Sequence, residues 1–227
     1  MNSYQLISQL VGLVEEFDNN RQNQAPLSLA DFTGFLNAKL LGEKHNMAET
    51  DVRFGSQSPE VMADAYQLDN NIARLFIYMS RYAKSYIKKT IAGTSLVSAE
   101  DFTSLAILMT HSSLSKTELL QLNLLEKTSG TEVINRLLAN GLAIQWDNQI
   151  DKRTKRIAIT EKGRQLLYPL FSDMGSVGKL ITGKLSLPEK ITLQYLLQQL
   201  ENFHYPVHCN KQITNKADLI NFSQLHQ

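Results

Sequence analysis

The stretch Lys127-Thr128-Ser129-Gly130-Thr131-Glu132-Val133-Ile134-Asn135-Arg136-Leu137-Leu138-Ala139-Asn140-Gly141-Leu142 decides the fold. Val133, Ile134, Leu137 and Leu138 repeat at helical spacing, and Gly141 closes the helix as a C-cap. At its start Ser129 with Glu132 forms a capping-box pattern, with Glu126 and Thr128 as competing N-caps. Just downstream, 143–146 and 156–160 are short β-rich segments joined by a polar, charged loop, which predicts a hairpin with a long tip. Upstream lie two further helix starts. Ser98 with Asp101 opens a helix over 102–110. Ser115 with Glu118 opens another, carrying Leu119, Leu120, Leu122 and Leu125.

From 98 to 163 the order is therefore helix, helix, helix, strand, charged loop, strand, helix. That order is a winged helix-turn-helix: mainly α, with a small β-hairpin wing. In this architecture the last of the three helices fits the major groove, where base edges are distinguishable. The hairpin tip reaches phosphates or the neighbouring minor groove, whose negative potential attracts Arg.

Charge supports a local site rather than a basic protein. The net charge is only +1, but residues 1–60 sum to −4, 61–100 to +2 and 101–164 to +2. Most of that last excess is one cluster, Lys152, Arg153, Lys155 and Arg156. Binding nucleic acid needs such a patch where phosphates lie, not a basic total.

Outward from this block, helices dominate. Residues 4–17 carry apolar side chains at helical spacing, ended by Asp18-Asn19-Asn20 and Pro26. Ser28 with Asp31 opens a short helix with Leu29, Phe32, Phe35, Leu36 and Leu40 inward. Residues 42–60 read as a loop or linker. Leu68, Ile72, Leu75, Phe76, Met79, Ala83, Tyr86 and Ile87 form one stripe of a long helix stopped by Gly93. Thr160 caps a helix over about 161–182. Ser186-Leu187-Pro188-Glu189 starts another that runs to Phe203 and is closed by Pro206. The last twenty residues are weakly patterned. The stripes on the two long helices fit either a monomeric core or a dimer interface.

Two stretches together resemble the MarR regulators (multiple antibiotic resistance). Residues 127–142 look like the family's recognition helix: Ser/Thr positions, an apolar pair, Arg-Leu, then a Gly-Leu exit. Asp151-Lys152-Arg153-Thr154-Lys155-Arg156-Ile157-Ala158-Ile159-Thr160-Glu161-Lys162-Gly163 is similar to its wing, in which Asp, two basic residues, an alternating strand and Thr-x-x-Gly follow in this order. The resemblance covers roughly 66–205. It implies a transcriptional regulator: a homodimer with long dimerisation helices, binding pseudo-palindromic double-stranded DNA and often released by a small aromatic or phenolic ligand. The domain map it suggests is an N-terminal helical extension (1–65), a dimerisation helix (66–97), the DNA-binding winged helix-turn-helix (98–163), C-terminal dimerisation helices (164–205) and a tail (206–227).

The expected DNA contacts follow from residue types in this frame. Arg153 at the tip enters the minor groove with Lys152, Lys155 and Arg156 around it. Asp151 orients it by a charge-assisted hydrogen bond or serves as a turn residue. Thr128, Ser129 and Thr131 contact phosphates or bases, or cap the helix. Asn135 suits adenine, Arg136 guanine, a phosphate or an internal salt bridge, and Glu132 accepts from cytosine N4 or serves as a capping-box partner. Lys116 and Thr117 touch the backbone or face solvent. Tyr78, Tyr82 and Tyr86 line an effector pocket or simply pack. The sequence departs from the family at Gly130, where an apolar residue is usual, at Glu132, where a basic or polar reader is common, and at the first wing position, where Asn148 replaces the usual Asp. Gly130 and Glu132 motivate a second reading, a protein-interaction module that has lost DNA binding.

Other classes find little support. No phosphate loop, nucleophile elbow or paired-carboxylate signature occurs, so no enzyme and no cofactor is expected. His204, His208 and Cys209 tempt a metal reading, but Pro206 is expected to break the helix that would align the imidazoles, so no metal site is expected. A lone cysteine excludes an internal disulfide and fits a reducing compartment. It does not match the N-terminal reactive cysteine of the peroxide-sensing members, so redox sensing is not carried over. Glu15 and Glu16 interrupt the first apolar stretch, which lacks a basic flank, so no secretory signal and no membrane association are expected, and the compartment expected is the cytoplasm.

Overall fold

The computed structural model describes residues 2–20, 28–42, 53, 57–149, 151 and 153–225. The chain divides into two compact units, Met1–Arg74 and Leu75–Gln227.

In the first unit α1 (Ser3–Asn19) opens on a capping box between Asn2 and Gln5. α2 (Leu29–Gly42) starts as its sequence indicates, with the Asp31 N–H donating to Ser28 Oγ at 3.1 Å. The two helices meet through a cluster of Phe17, Phe32 and Phe35, with Phe17 centred 5.5 and 5.4 Å from the other two rings, and through the ion pair Lys39–Glu16. Leu29, expected inward, is exposed because it occupies the first helical position, ahead of that cluster. A short helix α3 (Pro59–Tyr66) begins with Pro59, whose missing N–H costs nothing in a first turn. The sequence reading of 42–60 as a linker lies mostly outside the described residues. The division between units falls inside α4 (Leu68–Thr90).

The second unit holds the buried core. α5 (Ala99–Met109), a two-residue strand β1 (Leu114–Ser115), α6 (Lys116–Leu122), α7 (Lys127–Ala139), β2 (Ala143–Asp147), β3 (Lys155–Ile159) and α8 (Glu161–Thr182) follow in the predicted order. The sheet order is β1-β3-β2, antiparallel, with Leu114 opposite Ile157 and Trp146 opposite Arg156. β1 is an addition: two residues carry no periodicity, and only pairing with β3 defines them. Leu105, Leu108, Leu119, Leu137, Leu142, Ile157 and Leu167 are essentially inaccessible and come from nearly every one of these elements. Each such side chain contributes about 1.5–3 kcal/mol by leaving water, so wing, turn and helices form one packed body.

Two glycines are required by close approach. A Cβ on Gly130 would lie 1.9 Å from Leu120 Cδ2 and 3.1 Å from Leu125 Cβ, so α7 can press against α6 only without a side chain there. A Cβ on Gly163 would lie 2.4 Å from the Leu142 carbonyl oxygen and 2.8 Å from Ile159 Cγ1. Thr160 caps the same turn, accepting from the Gly163 N–H at 3.1 Å and donating to the Gly141 carbonyl at 2.7 Å. The Thr-x-x-Gly pattern is thus the joint between the wing and α8.

The C-terminal half contains two corrections. α9 (Leu187–Cys209) passes through Pro206 instead of stopping before it. The ring removes only the hydrogen bond to the Asn202 carbonyl, and both residues face solvent near the helix end, where water replaces it. A further helix α10 (Lys216–Leu225) lies in the expected tail, its start fixed by Asp218 accepting from the Thr214 N–H at 2.9 Å. None of the residues of α4 or α9 is buried, and Ile191, Leu196, Leu200 and Phe203 on α9 are exposed apolar side chains. Among the described residues no helix is long and apolar enough to cross a membrane.

Candidate nucleic-acid interface

α7 is two-sided. Gly130, Val133, Ile134 and Leu137 are buried, whereas Lys127, Thr128, Ser129, Glu132, Asn135 and Ala139 are exposed. Thr128, Glu132, Asn135 and Ala139 follow at intervals of four, three and four, so they share one face. The N-cap is Glu126, without a side-chain capping bond. Of the N-caps the sequence left open, Glu126 is the one used: Ser129 is the third residue of the helix, donating to the Glu126 carbonyl at 3.3 Å, and Glu132 is left on the outer face without a capping role. Thr131 is half-buried and donates to the Lys127 carbonyl.

Arg136 does not extend from this face. Its Nη2 donates to Asp101 Oδ1 at 2.6 Å and its Nε to both carboxylate oxygens at 3.1 and 3.3 Å. The Asp101 side chain is 1% exposed and that of Arg136 33%. Asp101 also accepts from the Val97 and Ser98 N–H groups at 2.8 and 3.3 Å. The hydrogen bond that Arg136 donates to Asp101 raises the Arg136 pKa still further above its ordinary value, so the guanidinium stays charged. Of the readings open for Arg136, the internal salt bridge is the arrangement present. Reaching a base would require abandoning a buried carboxylate.

Arg156 is tied down in the same way. It donates from Nε to Ser113 Oγ at 3.1 Å, from Nη2 to the Ser113 carbonyl at 2.5 Å, and from Nη1 to Glu118 Oε2 at 2.9 Å. The Ser115 N–H, which donates to Glu118 at 2.6 Å, and the Ser115 hydroxyl hold the Glu118 carboxyl below its ordinary range, and Arg156 adds to the effect. Arg156 thereby joins β3 to the start of α6, beside Lys116 (half-buried) and Thr117 (exposed).

The wing tip is built on Asp151. Its carboxylate accepts from the Arg153 N–H at 3.1 Å and from Arg153 Nε at 3.3 Å, and its carbonyl accepts from the Thr154 N–H at 2.9 Å. Both readings of Asp151, turn former and orienter of Arg153, describe this one arrangement. The Arg153 side chain is 93% exposed. Lys155 is exposed beside it, and Lys152 lies outside the described residues. The residues that sequence reasoning missed are Ser113 and Asp101 as anchors of arginines, at separations of 43 and 35 positions that leave no local pattern.

No protein-family model matches the chain, and no curated protein matches it by sequence. Solved structures do match. BpsR of Bordetella bronchiseptica, described for the regulation of its DNA binding by 6-hydroxynicotinic acid, aligns with a TM-score of 0.54 at 21% identity, over 58% of this chain and 98% of its own. A mutant of E. coli MarR complexed with operator DNA aligns with 0.53 at 21% identity, over 59% and 98%. A MarR transcriptional regulator from Methanosarcina mazei Go1 aligns with 0.52 at 21% identity, over 58% and 94%. The fold is that of the MarR regulators.

Within the MarR fold, α7 is the second helix of the helix-turn-helix and the β2–β3 hairpin is the wing. Gly130, a departure from the MarR sequence pattern, is a packing residue on the buried side of α7, so it takes nothing from the outer face. The candidate effector-pocket residues Tyr82 and Tyr86 stack on one another along α4, with ring centres 6.5 Å apart. His204 and His208 share a face of α9 because the helix continues through Pro206. Among the described residues no group of three metal-donor side chains forms.

Proposed function

We propose that this protein is a MarR-like transcriptional regulator that binds pseudo-palindromic duplex DNA as a homodimer and responds to a small-molecule or stress signal. The observation that carries this reading is the pairing, on one packed body, of an outward polar face on α7 with a solvent-extended, carboxylate-oriented Arg153 at the wing tip. A helix face that reads base edges and a tip that enters an adjacent groove are the two parts this mode of binding needs. The E. coli MarR structure with operator DNA and the regulation of BpsR by 6-hydroxynicotinic acid support the DNA and effector parts by analogy of fold.

In this reading Thr128 and Asn135 face base edges, Ser129, Lys116 and Thr117 lie along phosphates, and Arg153 with Lys152 and Lys155 holds the wing's groove. Arg136 and Arg156 act one step back, fixing α7 against α5 and the wing against α6. Homodimerisation is supported by α4 and α9, which have no fully buried residue within the chain, Ile87 alone packing partly on the core, and which expose Leu75, Met79, Ile191 and Leu196. Such faces are stable in water only when something covers them. Light scattering is expected to give twice the chain mass. The alternative of an interaction module without DNA binding loses the support of Gly130, which packing explains.

The test is retention of genomic fragments, including the region upstream of the gene itself, across a salt series. Retention that falls steeply as salt rises is expected. No retained fragment at low salt, with a stoichiometric protein partner co-purifying instead, would refute it.

A further inference from the structure

We infer that Glu132 is the specificity-determining residue of α7, selecting cytosine at one position of each half-site. The inference rests on the DNA-binding reading above and adds which base is chosen and by what.

The side chains available to a base edge are few. Arg136 is held by Asp101, and the Ser129 and Thr131 hydroxyls donate to backbone carbonyls of their own helix. Lys127 is the first residue of the helix, where a cation suits a phosphate, and Thr128, Glu132 and Asn135 remain as outward polar groups along one face. At a 1.5 Å rise per residue, Thr128 and Asn135 stand about 10 Å apart. That span is about three base-pair steps of 3.4 Å, and Glu132 lies between them. Among the described residues Glu132 makes no hydrogen bond or ion pair, and its influence on Arg136 is only through space. It is exposed on the outer face of α7, so its carboxylate is free to meet a base edge.

A carboxylate has acceptors and no donor. In the major groove cytosine offers its N4 amino donor with no acceptor beside it, adenine sets its N6 amino donor next to the N7 acceptor, which repels a second carboxylate oxygen, and guanine and thymine present acceptor oxygens to the same space. Glu132 is therefore attracted by cytosine and repelled by guanine or thymine at the base it faces. Its charge also sits among phosphates, which weakens binding wherever no amino donor compensates. One residue thus lowers non-specific affinity and sharpens the choice at one base pair.

The test is selection of bound sequences from a random duplex library by the full chain, followed by Kd measurements on the selected site and on single-base-pair variants. Glu132→Gln and Glu132→Ala are carried in parallel, with thermal unfolding as the control for an intact fold. Wild type is expected to fix cytosine at one position per half-site and to lose about tenfold or more in affinity when it is replaced. Glu132→Ala is expected to lose that preference, Glu132→Gln to weaken it and admit adenine, and both to bind non-specific DNA more tightly. A cytosine preference that survives undiminished in Glu132→Ala, which has no acceptor, or a wild-type site with no fixed cytosine under α7, would overturn the inference while leaving DNA binding intact. Failure of wild type to retain any duplex at low salt would instead overturn the DNA-binding reading, and the inference with it.

Discussion

Arg136 on α7 and Asp101 on α5 form a salt bridge across 35 positions of sequence, with the guanidinium bonded to both carboxylate oxygens. The pair locks the helix carrying the outward polar face against the first helix of the winged unit. Arg136→Ala leaves the Asp101 carboxylate buried without its countercharge. Breaking such a pair typically costs about 3–5 kcal/mol. The lower end is expected here, since Asp101 keeps two backbone N–H donors and Arg136 is a third exposed. Urea unfolding of the variant checks this. Arg136→Lys should recover only part of the loss, because an ammonium cannot span both oxygens.

The two close-packed glycines predict an order of damage. Gly163→Ala drives a methyl against a backbone carbonyl oxygen, which cannot move without shifting the wing. A loss of about 2–3 kcal/mol is expected, the upper part of the overpacking range. Gly130→Ala meets chiefly the far end of Leu120, which can rotate away, and gains up to about 1 kcal/mol in helix propensity. Its loss should be smaller, about 0–2 kcal/mol. Thermal unfolding of both variants should rank Gly163→Ala clearly below Gly130→Ala.

Much of the winged unit is legible in the sequence because its signals are local. Ser98, Ser115 and Thr160 mark helix starts at the positions the structure uses, and the polar, charged loop at 148–154 separates two segments with β character. What was not legible depends on tertiary partners. Arg136 reads equally as a base contact or a salt bridge until Asp101 is brought beside it. Glu132 looks like a capping residue until the N-cap moves to Glu126. β1 exists only through β3, and Pro206 stops a helix only where its lost hydrogen bond is costly. For the candidate site, the tip pair Asp151–Arg153 is encoded two residues apart and could be read. The anchoring of Arg156 by Ser113 could not.

Acid should loosen the joint between wing and α6. Glu118 is held below its ordinary value of 4.5 by the Ser115 hydrogen bonds and by Arg156. A depressed folded-state pKa contributes stability that is present above the unfolded value and disappears as pH falls through the folded one. Stability measured from about pH 6 down to about pH 3 should therefore decline more steeply in wild type than in Glu118→Gln, the two curves converging at the acidic end. Parallel curves would remove Glu118 from the account.

The central claim is that an extended arginine at the wing tip grips duplex DNA beside the α7 face. Titration of a retained duplex with wild type and Arg153→Ala, at several salt concentrations, tests it most directly. The account predicts a Kd that rises steeply with salt, weakened in the variant by about 1–3 kcal/mol while unfolding temperature is unchanged. A salt-independent Kd, or equal affinity for both proteins with the fold intact, would contradict it.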